Sequence, residues 1–346
     1  MKKHLSKLAV MFAAFTMIVG CGNSDGGEGG SAGGGDVELV LSHTGAPGTP
    51  VYDTYEKFKE EVEERSNGEM TVKIHHSGTL AGDTQGVEML LNESLDIATA
   101  ATNNMSPFTD AFLAFDLPYM FKDVDATHRV LNNQEITDQF ASMMQEDVAL
   151  ELLFWVDPGS QRDVMNSKVL AKVPADLKGL KFRSAESPIE MAANEALGVT
   201  PIPVTWTEVY SALEQGVVDG LLQQHQWAVT ANLHEITKFV TETGGIHAMH
   251  MALMSKQSFD SLTEEQQQIV LDAAQATQEF NFEYAPKQVE GMKERMKEEG
   301  VEFYTPTEEE MALWVEAGKS IWPKFEDQLP EGLIDRIQAL QEEGAE

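Results

Sequence analysis

The spacing of apolar residues changes period several times along this chain, and each change marks an element. Residues 38–42 read as a short strand, followed by a Gly/Pro loop at 45–50. Residues 52–66 carry helical periodicity and stop at Asn67-Gly68, a helix C-terminal signal. Residues 70–75 alternate, with Met70, Val72 and Ile74 on one face of a strand. A turn at 80–83, a helix over 85–92 and an apolar strand over 95–101 complete a β-α-β-α-β order, which predicts an α/β domain.

The pattern continues in the same style. Residues 126–146 read as largely helical and 149–156 as a strand, after which Pro158-Gly159 marks a candidate domain crossing. A strand at 180–183 leads to Ser187-Pro188-Ile189-Glu190, with Ser at the N-cap, Pro at N1 and Glu at N3 of a helix. Thr205-Trp206-Thr207-Glu208 repeats that capping logic before a helix over 209–215, and 217–221 reads as a strand. A strand over 247–255, a long helical stretch capped by Ser261-Leu262-Thr263-Glu264 and running to about Glu299, and a C-terminal helix starting at Thr307 close the chain.

The N-terminus belongs to another category. Lys2, Lys3 and Lys7 precede an apolar run over 8–19, too short to span a bilayer comfortably, which ends in Ile18-Val19-Gly20-Cys21. This resembles a bacterial lipobox, in which the thiol of Cys21 is acylated. Cys21 is the sole cysteine of the chain. Residues 1–21 therefore read as a lipoprotein signal peptide and 22–36, nearly all Gly, Ser, Asn, Asp and Glu, as a flexible tether. The anchor would hold the protein at the outer face of the cell membrane, in the periplasm if the host has an outer membrane.

Charge narrows the partners. The formal net charge is −33, and it becomes more negative once the three signal-peptide lysines are removed. Such a chain repels phosphate, which excludes nucleic acid as a natural partner. At physiological salt that repulsion is screened beyond about 8 Å, so a local pair of arginines can still dominate inside a cleft.

Two arginines invite that role. Arg65, Arg129, Arg295 and Arg336 fall on polar helical stretches and read as solvated. Arg162 instead follows the 149–156 strand through the turn Pro158-Gly159-Ser160, and Arg183 ends a strand a few residues before a helix N-terminus. Ligands of open α/β sheets sit at strand carboxyl ends, and helix N-termini there favour anions. A guanidinium fork matches a carboxylate, so the expected ligand is a small carboxylate. A salt bridge from Arg183 to Glu186 or Glu190 is the structural alternative. Trp206, at a helix start, offers an apolar wall or a core contact, and Gln223, just past a strand, offers an amide to a ligand oxygen. His247 and His250 lie three apart in a predicted strand and point to opposite faces, so no metal site is expected, and no cofactor either. Beyond the Gly/Ser-rich tether the chain carries no GxSxG, and it carries no GxGxxG after a strand and no P-loop, which argues against a secreted hydrolase.

Several stretches resemble the solute-binding proteins of TRAP transporters, of the dicarboxylate-binding DctP type. The strongest runs from Leu177-Lys178-Gly179-Leu180-Lys181-Phe182-Arg183 through Ser187-Pro188 and Ala196-Leu197-Gly198 to Trp206-Thr207-Glu208-Val209-Tyr210 and Gly216-Val217-Val218-Asp219-Gly220. Ser66-Asn67-Gly68, Leu80-Ala81-Gly82-Asp83 and Phe115-Asp116-Leu117-Pro118-Tyr119-Met120-Phe121 are also similar to family stretches. The resemblance implies a two-domain periplasmic-binding-protein-like α/β fold with a cleft and a long helix bracing both domains. Domain I is expected over 37–159 and 249–288, and domain II over 160–248 and 289–346. It implies a monomer that closes on an organic acid and delivers it to an ion-driven TRAP permease. It gives Arg183 as the carboxylate partner, Arg162 as a second cation, and Trp206 and Gln223 as lining residues. Leu221-Leu222-Gln223-Gln224 departs from the usual Gln-Glu-Asn-Pro. Ala101 and Gly245 replace an acid and a histidine of sialate binders, and Lys181 replaces a tryptophan of ectoine binders. An ABC-type binding protein and a ligand-presenting partner of a sensor kinase are the alternative readings.

Overall fold

The computed structural model describes residues 37–342; the signal peptide, Cys21 and the tether lie outside the described residues. Eleven strands occur among them: β1 Val37–Ser42, β2 Met70–His75, β3 Ile97–Ala101, β4 Leu150–Val156, β5 Arg162–Asn166, β6 Lys181–Ser184, β7 Thr200–Pro203, β8 Gly220–Gln223, β9 Phe239–Ile246, β10 His250–Ser255 and β11 Glu302–Tyr304. They form two sheets. One has the order β2-β1-β3-β10-β4, the other β11-β9-β5-β8-β6-β7.

Both sheets are mixed. β1 pairs parallel with β2 and β3, while β10 runs antiparallel between β3 and β4. β6 pairs parallel with β7 and β8, while β5 runs antiparallel between β8 and β9. Each inserted antiparallel strand brings its amino end to the carboxyl ends of its neighbours. His250 therefore lies opposite Ala101, and Asp163, next to Arg162, lies opposite Gln223.

The chain crosses between the sheets at 157–161, from β4 to β5, and again at 247–249, from β9 to β10. A third link is the helix Glu264–Glu298, 35 residues long and capped by Thr263 in a box with Gln266. Its first half sends Val270, Ala273 and Ala274 into the core of the first sheet with Phe58, Ile97 and Met254. Its far end places Met296 in a core of the second sheet with Leu221 and Val240. One helix thus braces both sheets, as the fold expected from the sequence requires. No described helix is long and apolar enough to cross a membrane.

Local differences from the sequence reading have physical causes. The helical stretch over 126–146 is two helices, Val124–Leu131 and Gln134–Val148, because Asn133 caps the second through a bond from Ile136 N–H at 3.2 Å. The strand expected over 217–221 begins at Gly220, since Val217 N–H still closes the preceding helix on Ala212 O at 2.9 Å. Gly220 fits there because a Cβ would stand 2.4 Å from Met165 O of the neighbouring strand. Thr205 does not cap a backbone group; its Oγ1 donates to Glu208 Oε2 at 2.9 Å, and a 3-10 turn, Trp206–Glu208, precedes the helix Val209–Glu214. Arg129 is half-buried and donates to Gln341 O at 2.8 Å, so it docks the C-terminal helix rather than standing in solvent. Strands β5, β7, β9 and β11 had no counterpart in the periodicity, being short or rich in Thr, Gly and Pro.

Candidate ligand-binding site

The carboxyl ends of the two sheets face a shared cavity. Thr44, Asp83, Ala101, Asn103, Asn104 and His250 line it from the first sheet's side; Arg162, Arg183, Trp206, Gln223, Gln224 and Trp227 line it from the second. All four ligand-binding residues expected from the sequence thus meet at one cavity. Gln223 differs in one respect: it is the last residue of β8 rather than a residue beyond it.

Arg183 is buried, and its Nε donates to Val204 O at 3.0 Å. Neither Nη atom has a hydrogen-bond acceptor among the described residues, so the forked end of the guanidinium is left for another anion. The Trp206 ring lies 5.8 Å from Arg183 Cζ, and Trp206 and Trp227 meet edge to face at 5.7 Å. Trp227 in turn stacks on His250 at 5.2 Å. Burial pulls the His250 imidazole below its ordinary value against the pull of Asp83, which favours the neutral ring.

Glu190 organises the cationic wall. Its helix, Pro188–Ala196, is capped by Ser187, whose Oγ accepts from Glu190 N–H at 3.2 Å. The Glu190 carboxylate does not turn back on the cap. Oε2 accepts from Arg162 Nη1 at 3.0 Å and Asn103 Nδ2 at 2.7 Å, Oε1 accepts from Ala185 N–H at 3.2 Å, and Arg183 Nη1 lies 4.0 Å away. The salt-bridge alternative weighed for Arg183 therefore falls chiefly on Arg162. Burial alone would push the Glu190 carboxyl up; Arg162, Arg183, Asn103 and the Ala185 amide outweigh it and hold it below the ordinary value.

Asp83 fixes the opposite wall. It accepts from Thr44 Oγ1 at 3.0 Å, Ala101 N–H at 3.1 Å and Asn104 Nδ2 at 3.0 Å. Asp83, Asn103, Asn104 and Trp227 were not singled out for the site from the sequence; His250 was weighed only as a metal ligand, and Glu190 only as the N3 residue and as a salt-bridge partner of Arg183. Asn103 and Asn104 did carry a usable signal, since two amides directly follow the carboxyl end of an apolar strand. His250 is on the cavity while His247 bonds Asp157, so the two histidines part company.

The profile of the family described as bacterial extracellular solute-binding protein, family 7 (DctP), matches residues 41–328. The chain belongs to the DctP family. The 2,3-diketo-L-gulonate-binding periplasmic protein YiaO of Escherichia coli is 30% identical to this DctP-family chain over 288 residues, 83% of this chain and 86% of YiaO. The C4-dicarboxylate-binding periplasmic protein DctP of Vibrio cholerae is 29% identical and covers 98% of this chain and 99% of its own length. Among solved structures, a TRAP periplasmic solute-binding protein from Sulfurospirillum deleyianum with bound succinate superposes with a TM-score of 0.82 at 26% identity, covering 88% of this chain and 99% of that one. The sugar-acid-binding protein DctPAm of Advenella mimigardefordensis shares the fold, with a TM-score of 0.84 at 22% identity over 89% and 98% of the two chains. This DctP-family member is accordingly an extracytoplasmic solute-binding protein of the TRAP type, not an enzyme.

Proposed function

We propose that this protein captures a small organic acid in the cavity between its two sheets and hands it to a TRAP permease. Arg183 clamps the ligand carboxylate, Arg162 supplies a second positive charge, Trp206 forms a packing wall and Gln223 donates a hydrogen bond. The observation that carries the reading is the open fork of Arg183, buried at the cavity with no hydrogen-bond acceptor on either Nη among the described residues. A buried guanidinium whose Nη groups face only Glu190, 4.0 Å away, is under-satisfied, and an incoming carboxylate removes that cost. The named ligands of YiaO, the Vibrio DctP and the Sulfurospirillum protein, all organic acids, support the same class.

Capture proceeds by closure of two lobes, 37–159 with 249–288 and 160–248 with 289–346, about the crossings at 157–161 and 247–249. Acylation of Cys21 and the 22–36 tether keep the monomeric lobes near the permease. Metabolic labelling with a fatty acid tests the anchor: Cys21→Ser should abolish incorporation.

A thermal-shift screen against carboxylic acids tests the ligand class. A true ligand at a hundredfold excess over Kd should raise Tm by roughly 5 °C. Arg183→Ala should remove that shift. A panel of acids that leaves Tm unmoved, or an undiminished shift in the variant, overturns the assignment.

A further inference from the structure

The cationic wall is already partly spent. Arg162 and Arg183 face two carboxylates that are equally fixed, Glu190 behind them and Asp83 across the cavity. Glu190 is 1% exposed and Asp83 8%, so solvent does little to screen either. His250, the remaining basic group on the cavity, is pushed towards neutrality by burial. The formal charge around the empty cavity is therefore zero, not plus two.

A third acid stands behind Glu190. Asp116 accepts from Ser187 Oγ at 2.9 Å and contacts Thr102 Oγ1 at 3.4 Å, and it is fully buried. Burial pushes its carboxyl up to about 7, with Arg162 opposing and Glu190 adding to the rise. Any charge that Asp116 carries makes the surroundings more negative still.

One carboxylate can be met by the open fork of Arg183. A second would have to share Arg162, whose Nε has no partner among the described residues but whose charge is already countered by Glu190 through Nη1. The rest of the lining suits uncharged polar groups. Gln223 uses its Oε1 on Gln224 N–H at 3.0 Å and leaves Nε2 without an acceptor, and Gln224 uses its Nε2 on Ala248 O at 3.0 Å and leaves Oε1 without a donor. A free donor and a free acceptor side by side match a hydroxyl, which is both.

We propose that Glu190 is a specificity-determining residue that limits the ligand to acids with one carboxylate and hydroxyl groups on the remaining carbons. It rests on the carboxylate reading above and narrows it. Glu190 acts through the arginines: it positions Arg162 and cancels one of the two positive charges. A dicarboxylate places its second charge against Asp83 and Glu190 in a buried setting, where like charges repel strongly.

Calorimetry with matched pairs tests this on the intact folded protein. D-gluconate and D-glucarate share a carbon skeleton and differ by one carboxylate; succinamate and succinate do likewise. The monoacid should bind more tightly within a pair, by roughly tenfold or more. Glu190→Gln keeps the shape and one of the two accepting oxygens while removing the charge. It should raise the affinity for the diacid relative to the monoacid by about tenfold, whatever it does to absolute affinity. Equal or tighter binding of the diacids by the unmodified protein overturns the inference while leaving carboxylate capture standing. A selectivity ratio unmoved in folded Glu190→Gln overturns the role of Glu190. Failure of every acid to bind overturns the carboxylate reading and this inference with it.

Discussion

Asp157 and His247 join the two chain crossings directly: His247 Nε2–H donates to Asp157 Oδ1 across 3.1 Å, both side chains wholly buried. His128 donates to the other carboxylate oxygen at 2.6 Å and stacks on Phe282 of the long helix at 4.0 Å. Asn281 of the same helix accepts from Asp157 N–H at 2.6 Å and donates to Asp157 O at 3.1 Å. One residue thus gathers all three links between the sheets, the histidines on its carboxylate and the long helix on its main chain. Burial would raise the Asp157 carboxyl, but the two histidines outweigh it and hold it below the usual aspartate range. Its contribution is intact above the ordinary aspartate value of about 4 and is lost as pH falls through the depressed folded value. Asp157→Asn should cost about 3 kcal/mol at pH 7, read by urea denaturation, and lose less stability on acidification than the unmodified protein.

Gly159 sits two residues further along the same crossing with φ +90, and a Cβ there would stand 2.5 Å from Ala285 O and 2.6 Å from Val289 Cγ2. The close pass of this crossing over the long helix therefore needs glycine. Gly159→Ala should destabilise by about 2–4 kcal/mol, from positive-φ strain and overpacking, measured as a drop in the denaturation midpoint.

Asp116 gives stability the opposite pH dependence. Its carboxyl is raised to about 7, so the folded state keeps a proton that the unfolded chain has released. That contribution is fully present below the ordinary aspartate value and is lost as pH rises through about 7. Asp116→Asn should leave stability nearly unchanged at pH 4 and raise it by about 1–3 kcal/mol at pH 8. The same variant should flatten any weakening of acid binding between pH 6 and pH 8, because the extra negative charge near Arg162 no longer develops.

Trp206 is only half-buried while its partner Trp227 is nearly enclosed. A ligand that covers Trp206 should change its fluorescence. Trp206→Ala should weaken acid binding by roughly tenfold through lost packing on Arg183 and on the ligand, with folding little affected. A titration by calorimetry measures the loss.

Much of this architecture was legible in the chain. The helices that carry caps at Thr263, Ser187 and Thr307 stand where capping chemistry placed them, because those signals are local. Arg162, Arg183 and Gln223 were picked out by their places near strand ends and Trp206 by its place at a helix start, relations that survive small errors in element boundaries. The residues that were missed act through long-range partners. Asp83 is one of 57 acids in the sequence, and only folding brings Thr44, Ala101 and Asn104 onto it. Glu190 read as the N3 residue of its helix and as a possible partner of Arg183, and only folding brings Arg162, 28 positions away, onto it instead. His250 lies at the amino end of its strand, and reaches the cavity because that strand is inserted antiparallel. No local pattern announces such an insertion.

The central claim is that a ligand carboxylate sits on the open fork of Arg183, and a crystal structure of the protein with a calorimetrically verified acid tests it most directly. The account predicts both carboxylate oxygens within about 3 Å of the two Nη atoms of Arg183, with Trp206 against the ligand carbons. An acid bound elsewhere, or one lying in the cavity with its carboxylate turned away from Arg183, would contradict it.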